Sequence, residues 1–339
     1  MLSFLRYLIL LSIMLVVTWL VVPRRFDIEF PRQPGPDFDR QMRKTYIDIL
    51  DENKTDIVLI GDSTLRLATD PDLLAELTEK RVENIDFPGS ASAFWYLVIK
   101  NNLVLAEHRP EAIVIVFRDT MLTAPGYRVH GAYFAKLAEF AAPEEPVLLE
   151  KAYLNQMGMV AKWSEKYFPL YSAREDIQKE IDSQIRYTLP KWLNCDQFCT
   201  DRSMYAIFTA SDLEPGQLRT AIATAEGYLY TPSQLNFKRQ VDKSFLPDMI
   251  RLTKERGIPL IAVRLKTQSI GAGNLETSEI RQYVGELSDY LNAQGVIFLD
   301  YGQDPRLDSE HFRDSIHLNP KGEELFTQIL AEDLNEVLK

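Results

Sequence analysis

Ser63, Asp314 and His317 are the residues of this sequence whose types and spacing point most directly to chemistry. Ser63 ends the turn Gly61-Asp-Ser63, which follows a short apolar run. Asp314 precedes His317 by three residues, so one turn of chain can bring its carboxylate to one imidazole nitrogen. The other nitrogen is then free to take a proton from a serine hydroxyl, which is a poor nucleophile without such a base. The spacing predicts a Ser-His-Asp triad with Ser63 as nucleophile, His317 as base and Asp314 as the residue that orients it.

His317 lies in a loop, because the helix-start signal Asn319-Pro320 follows it directly. His311 is the alternative base, but we expect no carboxylate at the same spacing after it in the helix-entry loop. The two other histidines, His108 and His130, are interpreted as structural side chains.

The elements that must position these residues alternate between apolar strands and amphipathic helices. This rhythm predicts an α/β fold with a parallel sheet flanked by helices, and Ser63 and His317 then meet at its carboxyl edge. The predicted strands cover residues 56–60, 82–87, 112–117, 258–265 and 296–300, and the predicted helices cover 72–77, 94–105, 242–256, 276–293 and 320–337.

The alternation stops between residues 121 and 240, a stretch rich in Tyr, Trp, Phe and Pro. We interpret it as a long, mostly helical insertion in an α/β domain of residues 55–339. Because the insertion follows the third strand, where ligands bind in open α/β sheets, it is expected to cap the substrate site.

Three motifs resemble the conserved blocks of the SGNH (GDSL) hydrolase family. They are Ile60-Gly-Asp-Ser-Thr64, Phe87-Pro-Gly-Ser-Ala91 and Asp314-Ser-Ile-His-Leu-Asn-Pro-Lys-Gly322. The resemblance implies a flavodoxin-like sheet and a serine ester hydrolase or O-acyltransferase that needs no metal or organic cofactor. It also implies that the N–H groups of Ser63 and Gly89 form the oxyanion hole.

The block after the third strand departs from this family pattern. The family has Gly-x-Asn-Asp there, with the Asn side chain in the oxyanion hole, whereas this chain has Phe117-Arg-Asp-Thr120. Either Arg118 replaces the Asn as a donor, or the hole rests on Ser63 and Gly89 alone. The alternative is a buried ion pair between Arg118 and Asp119, in a catalytically degenerate scaffold or a carbohydrate-binding subunit.

The N-terminus carries an apolar run from Tyr7 to Val22 with no charged residue, Gly or Pro. With its flanking residues it is long enough to cross a bilayer as a helix. We expect residues 1–25 to be an uncleaved anchor and residues 26–54 to be a polar spacer, with a cleaved signal peptide as the alternative.

Two features of the sequence predict opposite orientations for this anchor. Arg24, Arg25 and Arg32 follow the run and favour a cytoplasmic body. A disulfide between Cys195 and Cys199, with two free thiols as the alternative, would instead need an oxidising compartment.

The net charge of −11 argues against a nucleic-acid partner, which needs clustered Lys and Arg.

The resemblance extends to anchored SGNH-like proteins that act beside membrane-bound O-acyltransferases on cell-surface polysaccharides. It implies a single-pass inner-membrane protein with a periplasmic body, an acyl donor or acylated carbohydrate as substrate, and such an acyltransferase as partner. Aromatic residues of the insertion are candidates to stack on sugar rings or to form a small second core; they are Trp163, Tyr167, Tyr171 and Trp192.

Overall fold

The structure is a computed structural model that describes residues 2–38, 40–202, 227–268 and 276–339. The chain divides into two compact units. The anchor unit comprises Met1–Pro36 and Tyr153–Gln217, and the sheet unit comprises Asp37–Ala152 and Leu218–Lys339.

The sheet unit is built on five parallel strands in the order β2-β1-β3-β4-β5, the order of flavodoxin-like folds. The strands are β1 Ile57–Gly61, β2 Val82–Asp86, β3 Ala112–Phe117, β4 Leu260–Arg264 and β5 Ile297–Asp300. Every residue of β1, β3 and β4 is buried, as expected for parallel strands covered on both faces. This arrangement confirms the predicted fold class.

The helices of the sheet unit include the five that the periodicity predicted and others that it did not. In the first part of the unit they are α2 Thr45–Asn53, α3 Ser63–Arg66, α4 Pro71–Thr78, α5 Ser92–Val98 and α6 Ala132–Phe140. In the second part they are α10 Leu246–Arg256, α11 Ser278–Ala293 and α12 Pro320–Val337. Helix α12 packs on α4, and its Phe326 and Leu330 lie in one buried cluster with Leu59, Val114 and Val263 of the sheet.

The anchor unit contains the predicted N-terminal helix, α1 Leu2–Phe26. Within the described residues, α1 is the one helix long and apolar enough to cross a membrane, with a mean hydropathy of 2.3 over its candidate span Phe4–Phe26. A signal sequence would pass the same test. The unit also contains α7 Met159–Tyr167, α8 Pro169–Ser172 and α9 Arg174–Trp192.

A disulfide joins Cys195 and Cys199 just after α9, with the two Cα atoms 5.3 Å apart. The loop that it closes belongs to the anchor unit.

The two units divide the chain at places other than the predicted domain boundaries. Helix α2 lies within residues 26–54, the predicted spacer, and belongs to the sheet unit. Residues 121–152 of the predicted insertion belong to the sheet unit, whereas residues 153–217 belong with α1. The described part of the insertion is helical, as expected.

Candidate active site

The loop between β5 and α12 carries the Asp-x-x-His motif and is closed by its own backbone. The N–H of Arg313 donates to the carbonyl of His317 at 2.8 Å, and Phe312 pairs with Leu318 across the loop. Asn319 caps α12 by accepting from the N–H groups of Lys321 and Gly322. His317 is therefore held two residues before a capped helix.

The Asp314 carboxylate contacts the His317 ring as the spacing predicted. Its Oδ2 lies 2.9 Å from His317 Nδ1, and its Oδ1 accepts from the backbone N–H groups of Ile316 and His317, each at 2.9 Å. Partial burial raises the pKa of Asp314, but the hydrogen bonds from Ile316 and His317 outweigh this effect and hold that pKa below its ordinary value. The carboxylate is thus ionised at neutral pH and favours the tautomer in which Nδ1 of His317 carries the proton.

Ser63 is the first residue of α3 and follows the end of β1 after Asp62. Asp62 is buried and caps α3, since its Oδ1 accepts from the N–H of Thr64 at 2.8 Å and from the Thr64 hydroxyl at 2.6 Å. A Cβ atom on Gly61 would lie 2.6 Å from the Cβ of Leu65, so this sharp strand-to-helix turn requires glycine at that position.

The structure brings Ser63 and His317 together, although they are 254 residues apart in the sequence. Ser63 Oγ lies 2.9 Å from His317 Nε2, the ring nitrogen that faces away from Asp314. Ser63 is partly exposed, and the side chains of His317 and Asp314 are 16% and 19% exposed. A hydroxyl, an imidazole and a carboxylate are therefore connected in series, and the hydroxyl is open to a ligand.

The turn Phe87-Pro-Gly-Ser90 is fixed to the end of β1, the strand that precedes Ser63. Ser90 Oγ donates to the carbonyl of Gly61 at 2.8 Å and accepts from the Trp95 indole N–H at 3.0 Å. Gly89 has a φ of +77°, and a Cβ atom there would lie 2.5 Å from Cε1 of Tyr133. The position thus demands glycine for two independent reasons, and it is one residue from the contact with β1.

Arg118 is wholly buried at the end of β3 and pairs with its neighbour. Its Nη1 donates to Asp119 Oδ2 at 2.9 Å, and Asp119 has a φ of +50°. This geometry is the buried ion pair that the sequence left open as the alternative. The oxyanion-donor role of Arg118 stays a prediction.

Two arginines that sequence reasoning missed also hold the site. Arg66 of α3 donates to the Asp86 carboxylate at 2.8 Å and to the Asp86 carbonyl at 2.9 Å, which joins α3 to the end of β2. Arg128 lies 3.5 Å from the Asp62 carboxylate and 5.5 Å from the ring centre of Tyr133. Both contacts join distant parts of the chain, and no local sequence signal marks them.

A small recess lies beside Gly89. Its lining combines aromatic and aliphatic side chains with two cations; the lining residues are Phe87, Pro88, Gly89, Ser90, Phe94, Arg128, Tyr133, Lys136 and Leu137.

His311 has a carboxylate partner on its N-terminal side, which the sequence interpretation did not consider. Asp308 precedes it by the same three residues that separate Asp314 from His317, and Asp308 Oδ1 lies 2.8 Å from His311 Nδ1. The pair caps a short 3-10 turn at Ser309–His311. Spacing alone therefore marks two Asp-His pairs, and the contact with Ser63 distinguishes His317.

The interpretation of the insertion aromatics as a second core is wrong for three of the four residues, while Tyr171 is half-buried. Trp163 is 61% exposed, Tyr167 46% and Trp192 76%. Such exposure shows that these three rings do not pack in an interior.

No protein-family model and no curated protein matches this sequence. Among solved structures, the chain is similar to a Bacteroides fragilis protein assigned as an acylhydrolase, at 13% identity, over 90% of this chain and 100% of that chain, with a TM-score of 0.41. It is also similar to a GDSL-like lipase from Bacteroides thetaiotaomicron, at 11% identity, over 84% and 90% of the two chains, with a TM-score of 0.40.

A third similar structure is assigned as a lipolytic protein of the G-D-S-L family from Desulfitobacterium hafniense. It shares 10% identity over 82% of this chain and 98% of that chain, with a TM-score of 0.39. All three names describe acylhydrolases or lipolytic proteins. The similarity is low, and the assignment of the site rests on the distances given above.

Proposed function

We propose that this protein is a serine ester hydrolase or O-acyltransferase that works through an acyl-enzyme on Ser63. The observation that supports it best is the 2.9 Å contact between Ser63 Oγ and His317 Nε2, with Asp314 on the far side of the same ring. A serine in this contact is activated in the way that its nucleophilic role requires.

The proposed reaction begins when Ser63 Oγ attacks the carbonyl carbon of an ester and its proton passes to His317 Nε2. The oxyanion that forms accepts hydrogen bonds from the N–H groups of Ser63 and Gly89. His317 then gives its proton to the leaving alcohol, and the acyl group remains on Ser63. Water or a sugar hydroxyl then attacks this ester and gives its proton to His317, which passes it to Ser63 Oγ as the acid or the new ester departs.

The proposed substrate is an acyl donor or acylated carbohydrate of a cell-surface polysaccharide, and the proposed partner is a membrane-bound O-acyltransferase. These proposals come from the resemblance to anchored SGNH-like proteins. Ser63 is partly exposed, and the cations Arg128 and Lys136 line a small recess beside Gly89, which places positive charge near the proposed oxyanion hole.

Labelling with a fluorophosphonate probe, followed by mass spectrometry of the labelled peptide, tests the enzyme proposal. We expect one phosphonylated residue, Ser63, with labelling lost in Ser63→Ala and strongly slowed in His317→Ala. Ser309→Ala is a matched control in the same unit and is expected to label like the wild type. Labelling that persists in Ser63→Ala would contradict the assignment of the nucleophile.

The second candidate function is a non-catalytic scaffold or carbohydrate-binding subunit that retains the fold. The buried pair of Arg118 and Asp119 favours it, because that pair stands where the related enzymes carry the Asn donor. An unlabelled but folded wild type, together with an unchanged cellular phenotype of Ser63→Ala, would support this candidate against the enzyme.

A further inference from the structure

Helix α7 has its apolar and polar faces reversed relative to a helix of a water-soluble protein. Met159, Val160 and Trp163 are 88%, 79% and 61% exposed. Glu165, on the opposite face, is buried and lies 3.4 Å from both the N–H of Gly35 and Nη1 of Arg174. A helix surrounded by water buries its apolar stripe and exposes its carboxylates, so the outward face of α7 is suited to an apolar environment.

This outward face has the composition of a membrane interface. Met159, Trp163 and Tyr167 recur every four residues and thus share one face. The rings of Trp163 and Tyr167 lie 5.9 Å apart, and the Lys166 ammonium lies 5.4 Å from the Tyr167 ring centre. Trp and Tyr are enriched at the level of lipid headgroups, and lysine extends from there towards anionic phosphate groups.

The end of α1 lies close to α7 within the same unit. Helix α8 contacts α1, where Val22 is buried while residues from Phe4 to Val21 are largely exposed. Six residues after α1 ends, the N–H of Arg32 donates to the carbonyl of Lys166 in the last turn of α7 at 3.2 Å. An apolar helix of membrane-spanning length therefore continues into the segment that holds α7 in place.

We propose that the outward face of α7, formed by Met159, Val160, Trp163 and Tyr167, lies in the headgroup region of the bilayer that α1 enters. Its partner is a lipid surface carrying anionic headgroups. The inference rests on the proposed membrane anchoring of α1 and is independent of the chemistry of Ser63. Helix α7 would give the anchor unit a second attachment point, so that the unit does not swing freely about the end of α1.

The test uses the full-length chain in liposomes of phosphatidylcholine and phosphatidylglycerol, with single cysteines labelled by an environment-sensitive fluorophore. The chain is kept unreduced, so that Cys195 and Cys199 stay joined and do not react. Labels at positions 159, 163 and 167 report the outward face, and Ala161→Cys reports the opposite side of the same helix. Gln328→Cys on α12 is an exposed control in the sheet unit, and Met14→Cys reports the middle of α1.

We expect labels at positions 159, 163 and 167 to be quenched by lipids that carry a shallow spin label and to lose most of their quenching by aqueous iodide. The label at 161 should be quenched less by the lipids, and that at 328 should stay fully accessible to iodide. Equal iodide access at 163 and 328 would contradict the proposal.

Shielding at 163 that disappears when the lipid-to-protein ratio rises would show a second copy, and not lipid, on this face, and would also contradict the proposal. A label at Met14 that deep spin labels do not quench would remove the anchor and the proposal together. Ser63 labelling by fluorophosphonate is measured in the same liposomes, so failure of the enzyme proposal is seen separately.

Discussion

At the scale of single residues, the Asp314 carboxylate does two tasks with its two oxygens. Oδ2 faces the imidazole of His317, while Oδ1 binds the backbone of Ile316 and His317 and so fixes the loop around the ring. The Asp314 carboxylate therefore orients the ring, and the backbone N–H groups of Ile316 and His317 hold that carboxylate in place. We expect the geometry of this loop to persist when the charge of Asp314 is removed, because an amide oxygen can still accept the two N–H bonds.

Asp314→Asn should lower the rate of fluorophosphonate labelling or ester hydrolysis by about 10²–10⁴-fold at neutral pH, the usual contribution of general acid–base catalysis, because His317 loses the group that orients it. The amide no longer stabilises an imidazolium and can favour the wrong imidazole tautomer. The measurement is the second-order rate of labelling, with circular dichroism to confirm folding.

Asp308→Asn is the matched control, since Asp308 stands in the same relation to His311 as Asp314 does to His317. Its labelling rate should equal that of the wild type. A larger loss in Asp308→Asn than in Asp314→Asn would assign the base to His311.

At the scale of elements, the turn after β2 is as tightly specified as the nucleophile turn after β1. Ser90 hydrogen-bonds to the Gly61 carbonyl, and Arg66 of α3 binds Asp86 at the end of β2. The relative position of Ser63 and Gly89 thus depends on contacts between two neighbouring strand ends. A small shift of the turn that contains Gly89 should change the reaction rate while the fold stays intact.

Gly89→Ala should slow labelling towards the loss of about 10²–10³-fold that accompanies removal of one oxyanion donor. The new Cβ would meet the Tyr133 ring, and alanine at a positive φ costs roughly 1–2 kcal/mol. Labelling reactions quenched at successive times give the labelling rate, and urea unfolding gives the free energy of unfolding. The double variant Gly89→Ala/Tyr133→Ala removes the contact with the ring while it leaves the backbone strain.

Gly295→Ala separates strain from a role in the site. Gly295 also has a positive φ, +65°, but a Cβ atom there would have nothing within 4 Å. This variant should lose stability while its labelling rate stays that of the wild type. Equal rate losses in Gly89→Ala and Gly295→Ala would contradict a specific role for Gly89.

At the scale of the whole molecule, the disulfide and the charges around α1 favour opposite orientations. Arg24 and Arg25 favour a cytoplasmic body, with Arg6 on the other side. The joined Cys195 and Cys199 instead suit an oxidising compartment outside the inner membrane. We favour the second orientation, because positive charge biases topology whereas a persistent disulfide requires its compartment.

In a bacterial host, alkaline phosphatase fused to the C-terminus should therefore be active. Green fluorescent protein fused at the same place should not fluoresce. Maleimide-polyethylene glycol should modify the two cysteines only after reduction. The reverse pattern, with a fluorescent fusion and cysteines that react without reductant, would place the body in the cytoplasm.

The sequence was informative where a signal is local and uninformative where a contact joins distant segments. The Asp314–His317 spacing, the Asn319-Pro320 helix start and the apolar strand before Ser63 each act over a few residues, so a parallel sheet and the Ser63–His317 pair could be predicted. The order of the strands was expected only from the family resemblance. Arg128 contacts Asp62 across 66 residues, and nothing beside either residue marks that pairing. Helix α10 begins at Leu246 rather than near residue 242, because Pro247 occupies its first turn.

The exposed apolar face of α7 shows a related limit. The sequence contains the pattern of an amphipathic helix, but the pattern does not say which face turns outward. The exposure of Met159, Val160 and Trp163, together with the burial of Glu165, shows that the apolar face is the outer one.

The 254 residues between Ser63 and His317 have a consequence for the order of events during synthesis. A ribosome makes the nucleophile early and the base late, so the growing chain carries an unactivated serine for most of its translation. If the body crosses a membrane as an unfolded chain, it cannot hydrolyse esters during that crossing. Activity would begin only when the Asp314–His317 loop closes onto the finished sheet, which makes folding itself the step that switches the enzyme on.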